Sequence, residues 1–275
     1  MKNLTSIKST ASSVVPPTSP ARPWPDWSVS TLAVAVLFAI WWGITNSGYI
    51  GPDYLPSPEA MFSELAGLIV NGYKSVPLYE HIGASLFRAL TGFLLGVLLG
   101  VPIGLMTGYS RIGGAIVSPI MAFIRPIPPI AFIPMAVLYF GLGETGKVAL
   151  IFFTAFNYAH VNAHAGAANV PIAYYRAAQS IGLTRFQTFV RVVLPAAIPT
   201  VFTGLKVAMA LSWAVVVAAE LVGAQRGLGF MISDAAQLFR IPVVFIGIAL
   251  IGLIGLILNG ALSLAETRLV HWRGR

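Results

Sequence analysis

No cysteine occurs in the 275 residues of the chain, which excludes disulfides, thiolate metal sites and a cysteine nucleophile. Charge is scarce as well. Only 9% of residues are Asp, Glu, Lys or Arg, where a soluble domain carries about 25%. Acid is scarcest, with 9 Asp+Glu against 17 Lys+Arg. No Gly-x-x-x-x-Gly-Lys-Ser/Thr phosphate loop occurs, so the chain lacks the usual means of hydrolysing ATP. His160 and His164 stand at a spacing that sets two imidazoles on one helix face. No Glu intervenes in the HExxH manner and no third ligand lies nearby, so helix packing is the expected role and no metal is assigned. An intramembrane enzyme would need a nucleophile or a metal constellation, and the sequence supplies neither.

What is abundant is apolar side chain, at 57% of the chain. It comes in blocks near the roughly 20 residues that cross a hydrocarbon core. Six spans are expected, at about 30–44, 84–108, 112–141, 147–167, 196–222 and 243–264, in an all-α integral membrane protein. Pro102 should interrupt the second. The third holds Pro119, Pro126, Pro128, Pro129 and Pro134, each of which removes a helical hydrogen bond. A helix so broken is tolerated at membrane depth only against protein or a water-filled cavity. Between the first two spans, 58–69 reads as an amphipathic surface helix with Ser57 as N-cap.

The Ser/Pro/Thr-rich stretch 1–27 is expected to be a disordered cytoplasmic tail, and no signal peptide is expected. Residues 28–81 would hold the first crossing and a periplasmic loop, 82–267 the core, and 268–275 a basic cytoplasmic tail. The net charge of +8 would suggest nucleic acid in a soluble protein. Here the basic residues gather at the ends of apolar blocks, so no nucleic-acid partner is inferred. Lys2, Lys8, Arg22, Arg111, Arg176, Arg185, Arg191, Arg268, Arg273 and Arg275 fall on the side of the termini, against Lys74, Lys147, Arg226 and Arg240 opposite. The positive-inside rule then assigns both termini to the cytoplasm.

One stretch cannot lie in lipid. Residues 174–195, YYRAAQSIGLTRFQTFVRVVLP, carry Arg176, Arg185 and Arg191 with no acid among them. A helix should begin at Pro171, with Asn169 as cap, and run through Ala177 and Ala178. Gly182 can end it in a left-handed conformation. Thr184-Arg185-Phe186-Gln187 has the form of a capping box that opens a second short helix, which Leu194-Pro195 should stop. Helix, glycine turn and helix on the cytoplasmic side describe either a docking element or an ordinary interfacial loop.

Ala177, Ala178, Gly182, Val192, Leu194 and Pro195 resemble, at matching spacings, the Glu-Ala-Ala…Gly…Leu-Pro motif of permease subunits of type I, binding-protein-dependent ABC importers. Arg176 stands where that motif has Glu. The resemblance implies a type I permease fold in a bacterial inner membrane, with 174–195 as the coupling helix. Arg176, Ala177, Ala178, Gly182, Leu194 and Pro195 would then make the ATPase-coupling surface. It also implies a second permease chain, two ATP-binding subunits that use ATP and Mg, and a periplasmic binding protein. No catalysis and no cofactor would belong to this chain. The stretches 125–148 and 218–231 look like the taurine, aliphatic-sulfonate and nitrate branch, with taurine permeases closest. Nitrate or another small organic solute is the alternative cargo, and a secondary transporter the rival class.

An arginine inside a span is a functional hypothesis in its own right. Arg125 could grip a sulfonate, carboxylate or nitrate through two parallel donors, or snorkel to an interface. With it, Pro126, Pro128, Pro129, Asn157 and Tyr158 are the candidate substrate pathway. Glu220 and Arg226 are candidates for a structural ion pair or a contact with the periplasmic partner. Gly96, Gly100 and Gly104, spaced by four, read as a close helix-packing surface.

Overall fold

The computed structural model describes residues 25–271, and the regular elements among them are helical apart from a single Tyr73–Val76 bridge. Of the tails expected at 1–27 and 268–275, positions 1–24 and 272–275 lie outside the described residues. The chain forms two compact units, 1–49 and 50–275. In the first, α1 (Asp26–Asn46) follows Pro25 and exposes Leu32, Leu37 and Phe38, side chains suited to lipid.

The second unit begins with α2 (Pro58–Asn71), whose N-cap Ser57 accepts from the Ala60 amide at 3.2 Å. Helix α2 packs on α11 (Ile241–Leu269) and α3 (Leu78–Tyr109). Its Leu68 belongs to the core, so the helix is only partly a surface element. Helix α3 runs unbroken through Pro102, contrary to the expected interruption. The amide that proline lacks is one bond of a long ladder, and membrane helices accommodate such a loss through neighbouring contacts.

The third apolar block does break. Helix α4 (Arg111–Ile124) meets a second arm, Pro129–Phe140, at 82° across the break at 125–128; that arm is a 3-10 turn, Pro129–Phe132, followed by α5 (Ile133–Phe140). Pro119 stays within α4 and Pro134 sits in the first turn of α5. The break therefore falls where two prolines, Pro126 and Pro128, withhold alternate amides.

Helix α6 (Glu144–Ala168) is the central element, held between α3 and α9 (Leu194–Glu220). The glycines of α3 make the closest approach. A Cβ on Gly96 would lie 2.7 Å from the Phe156 amide nitrogen, and one on Gly100 2.7 Å from the Phe156 carbonyl oxygen. Small residues at this spacing let helix backbones meet, the packing mode of membrane helices. Ala155, Ala159, Ala163 and Ala167 answer them from α6, all buried.

By length and apolar content four stretches qualify as spans: 27–46, 78–109, 185–220 and 241–269. The bent α4–α5 pair makes a fifth if it crosses once. Six were expected, and α6 is the one that falls short. With 25 residues it is long enough. Its polar residues lower its hydropathy, and protein rather than lipid surrounds much of it. The chain is thus an all-helical membrane protein with four to five candidate spans.

At the far end of the bundle a further helix, α10 (Leu228–Gln237), buries Leu228, Met231 and Ala235 and forms a hairpin with α11.

Candidate functional site

Three polar constructions stand on this scaffold. The first follows α6. Helix α7 (Ile172–Ser180) begins after Pro171, whose side chain makes no cap, and Asn169 ends α6 instead of capping α7. Gly182 adopts φ +74°, with its amide on the Gln179 carbonyl at 3.0 Å and the Leu183 amide on Ala178 at 3.0 Å. That is the left-handed glycine stop expected of a helix end. The capping box opens α8 (Arg185–Thr188): the Gln187 amide donates to Thr184 Oγ1 at 3.3 Å, and the Thr184 amide to Gln187 Oε1 at 2.9 Å.

Leu194-Pro195 does not stop this helix. A π-helical segment, Phe189–Val193, joins α8 directly to α9. The wider π turn takes up the missing amide and the ring of Pro195 without ending the rod. Tyr109, the last residue of α3, ties the element down. Its hydroxyl donates to the Arg185 carbonyl at 2.9 Å, and its ring stacks on Tyr175 at 6.3 Å. Burial, then the neighbouring Tyr109, pushes the Tyr175 phenol above its ordinary range.

Arg176, Ala177 and Gly182 are exposed, whereas Ala178 is buried at 2% exposure and so faces the protein. The sequence pairs the two alanines as one surface; on a helix, neighbours 100° apart divide between two faces. Leu194 and Pro195 are half-buried within the rod. The outward face instead carries Ile181 and Phe186, each 75% exposed.

The second construction lies at the opposite end of α3; the sequence marks Glu220 for a structural ion pair, but not Arg88 as its partner. Arg88, 4% exposed, donates through Nη1 to Glu220 Oε1 at 2.7 Å and through Nη2 to Glu144 Oε1 at 2.7 Å. It also reaches the Arg226 carbonyl at 2.8 Å. Glu220, at the end of α9, further accepts from Ser85 Oγ at 2.8 Å and the Gly229 amide at 2.8 Å. The Leu228 amide donates back to Ser85 Oγ at 2.9 Å. Glu220 is therefore paired with Arg88, while the Arg226 guanidinium pairs with Glu80 at 2.8 Å. This cluster fastens α3, α6, α9 and the start of α10 together.

Beside it, Asp234 of α10 accepts from Lys74 Nζ and from the Tyr73 hydroxyl, each at 2.7 Å. The Lys74 hydrogen bond, then that of Tyr73, holds the Asp234 carboxyl below the usual carboxylate range. Burial and the hydrogen bond to Asp234 push Tyr73 well above its own.

The third construction is the bend. Arg125 caps α4 and lines a cleft of roughly 170 Å³ with Ser118, Met121 and Ala122 of α4 and His160, Val161 and His164 of α6. Pro126 and Pro128 are exposed and Pro129 half-buried at the bend. Asn157 and Tyr158 do not line this cleft. Asn157 is buried, and Tyr158 packs against Phe93, Ala155, Ala208 and Met209. The histidines instead supply its α6 wall. The Thr107 hydroxyl bridges them, 3.3 Å from His160 Nε2 and 3.1 Å from His164 Nδ1. Their i, i+4 spacing was visible in the sequence; the partner on α3 was not.

Residues 96–271 match the family described as the binding-protein-dependent transport system inner membrane component. The chain belongs to that family. It is a permease subunit of an ABC transporter, the membrane component and not the ATP-hydrolysing one. The permease is 37% identical over 255 residues to the taurine transport system permease protein TauC of Escherichia coli (strain K12), covering 91% of this chain and 93% of that one. It is 31% identical over 245 residues to the nitrate import permease protein NrtB of Leptolyngbya laminosa, covering 87% and 88% of the two chains. Its fold is similar to a chain of the inward-facing MetNI methionine ABC transporter, with a TM-score of 0.60, 21% identity and coverage of 72% of this chain and 96% of that one.

Proposed function

We propose that the permease passes a small sulfonate, taurine foremost, from the periplasm to the cytoplasm of a bacterium. Two copies of the chain would form the pathway, with two separate ATP-hydrolysing subunits and a periplasmic binding protein. In this reading α1, α3, the bent α4–α5 pair, α6, α9 and α11 each cross the inner membrane once, and both termini are cytoplasmic. The observation that carries it is the shape of 172–195. A capped, tyrosine-anchored element joins α6 directly to α9 and turns Ile181, Phe186 and an unobstructed Gly182 outward. An exposed apolar surface on a basic element is a partner surface, and here its partner is the ATPase. Closure of the ATPases on ATP would move this element with α6 and α9 attached, shifting the population between outward- and inward-open states.

Charge supports the orientation. At the far end Lys74, Arg226 and Arg240 pair with Asp234, Glu80 and Glu64. Among the described residues no acidic side chain pairs with Arg111, Arg176, Arg185 or Arg191 at the docking end. An excess of Lys and Arg near span ends marks the cytoplasmic side. The taurine assignment is supported by the 37% identity to a taurine permease along nearly the whole chain.

Uptake of labelled taurine by proteoliposomes holding the permease, its ATPase and its binding protein tests the reading. Uptake should vanish when the ATPase is omitted. Uptake driven by an ion gradient in its absence would sink the proposal in favour of a secondary transporter. A cognate binding protein that retains nitrate and not taurine would reassign the solute.

A further inference from the structure

The docking element and the buried ion cluster leave one polar cleft without a role, the one at the α4–α5 bend. Its wall carries a guanidinium, a hydroxyl and two imidazoles, from Arg125, Ser118, His160 and His164, and no carboxylate. Such a donor set fits an oxyanion and repels a cation. Arg125 is exposed at the broken end of α4, so its planar fork is presented by backbone and not by a long mobile loop.

Of the two lining histidines, His160 is incompletely partnered. His160 is 2% exposed, and its Nδ1 is buried with no hydrogen-bond partner. The other ring nitrogen is held by Thr107, whose single hydroxyl hydrogen has competing acceptors. One is the Gly104 carbonyl at 3.0 Å, and another is His160 Nε2 at 3.3 Å. Where Thr107 donates to the Gly104 carbonyl, His160 Nε2 donates to the Thr107 oxygen and Nδ1 is a buried acceptor; where Thr107 donates to His160 Nε2, His164 donates its Nδ1 hydrogen to the Thr107 oxygen. The hydrogen of a neutral His160 then sits on Nδ1, as a buried donor in want of an acceptor. Native interiors rarely leave such a group unpaired without a purpose. Thr107 also locks both rings in orientation, as an outer-shell partner orients a ligating histidine.

We propose that this cleft is a transit subsite for the oxyanion head of the transported solute. Arg125 grips two oxygens and Ser118 Oγ donates to the same head, with His160 and His164 in the α6 wall. Met121, Ala122 and Val161 flank a short hydrocarbon stem. The volume of roughly 170 Å³ holds several waters' worth of space, enough for a sulfonate, carboxylate or nitrate head. With no acid in the wall, the ammonium of a zwitterion such as taurine stays in water and contributes nothing. The subsite rests on the reading that the permease carries an anionic or zwitterionic solute, and it adds His160 and His164 of α6 to the candidate pathway.

The test uses the purified permease–ATPase complex in nanodiscs, without binding protein, and saturation-transfer NMR of methanesulfonate, taurine and ethylammonium. Methanesulfonate and taurine should bind saturably at similar millimolar strength, and ethylammonium not at all. Arg125→Gln should weaken both about tenfold or more, the cost of losing a hydrogen bond to a charged group, and Arg125→Lys should restore part of the loss. His160→Gln should weaken both less, with its assembly checked by co-elution with the ATPase. Arg125 is exposed, so the Arg125 variants decide the matter even where the buried His160 variant does not assemble. No saturable sulfonate binding by the wild type, equal binding by Arg125→Gln, or equal binding of ethylammonium would each overturn the subsite. Taurine uptake by the complete wild-type transporter is measured separately. Its absence, with sulfonate binding that Arg125→Gln abolishes, would remove the taurine assignment and leave the subsite standing.

Discussion

Removing the Arg88 guanidinium would leave the buried Glu220 without its counter-charge, in contact only with Ser85 and the Gly229 amide. Breaking a buried pair by deleting one partner costs about 3–5 kcal/mol. Arg88→Leu is therefore expected to lower the unfolding midpoint of detergent-solubilised permease strongly. The double variant Arg88→Leu/Glu220→Leu should recover much of that loss, because neither charge is then stranded. Equal midpoints for the single and double variants would contradict the pairing. Asp234 permits a pH test of the same end. Its carboxyl is held below the usual range by Lys74 and Tyr73, so the stability it contributes is present above the unfolded value of about 3.9. That contribution is lost as pH falls through the lower folded value. The midpoint gap between wild type and Asp234→Asn should therefore be open at neutral pH and close progressively below about pH 4. Arg88 and Glu220 could each be suspected from the sequence as charges within or at the ends of apolar blocks. Their pairing was not legible, since it spans 132 positions of chain.

At the scale of elements, the docking segment was the most legible, because its signals are local. A left-handed glycine and a Thr-x-x-Gln box act over a few residues, and both form where the sequence places them. At φ +74° a β-carbon is strained by about 1–2 kcal/mol, and no neighbour crowds Gly182 otherwise. On the proposed docking role, Gly182→Leu should insert and assemble, yet reduce uptake of the transported solute while ATP hydrolysis stimulated by the binding protein continues. Parallel uptake and phosphate-release assays in proteoliposomes read this directly, and normal uptake would count against the docking role. Helix α6 shows the converse. Its polar residues argue against a span by hydropathy, but the glycines of α3 close over its backbone and exclude lipid. Gly100→Val should disrupt that seam, since the Phe156 carbonyl lies 2.7 Å from the added carbon. Overpacking of this kind costs about 1–3 kcal/mol, and the measured midpoint should fall accordingly. Helix α10 was not legible because its buried face, Leu228, Gly229, Met231 and Ala235, is only four residues of a ten-residue helix.

The whole molecule sorts its charge by end. Seven of the nine acids, Asp53, Glu59, Glu64, Glu80, Glu144, Glu220 and Asp234, belong to segments assigned here to the periplasmic side. The absence of cysteine makes the orientation testable without background labelling. In intact spheroplasts a membrane-impermeant maleimide should label Tyr54→Cys, at a position 80% exposed, and spare Ser180→Cys on α7. Ser180→Cys should react only after the membrane is opened. The reverse pattern would invert the topology and with it the docking assignment.

The sequence by itself determined the apolar, charge-poor composition of this protein, its long apolar blocks, the basic residues of 174–195 and the Gly182 turn. Each of these is written in composition or in contacts a few residues apart, where propensity and capping act. Only the tertiary structure decided which charges neutralise one another, which alanine of the docking helix faces outward, and which residues stand beside Arg125 at the bend. Those outcomes depend on how helices far apart in the chain cross. Close approach along the α3 glycines brings Thr107 to His160 and His164, and no local pattern specifies that meeting.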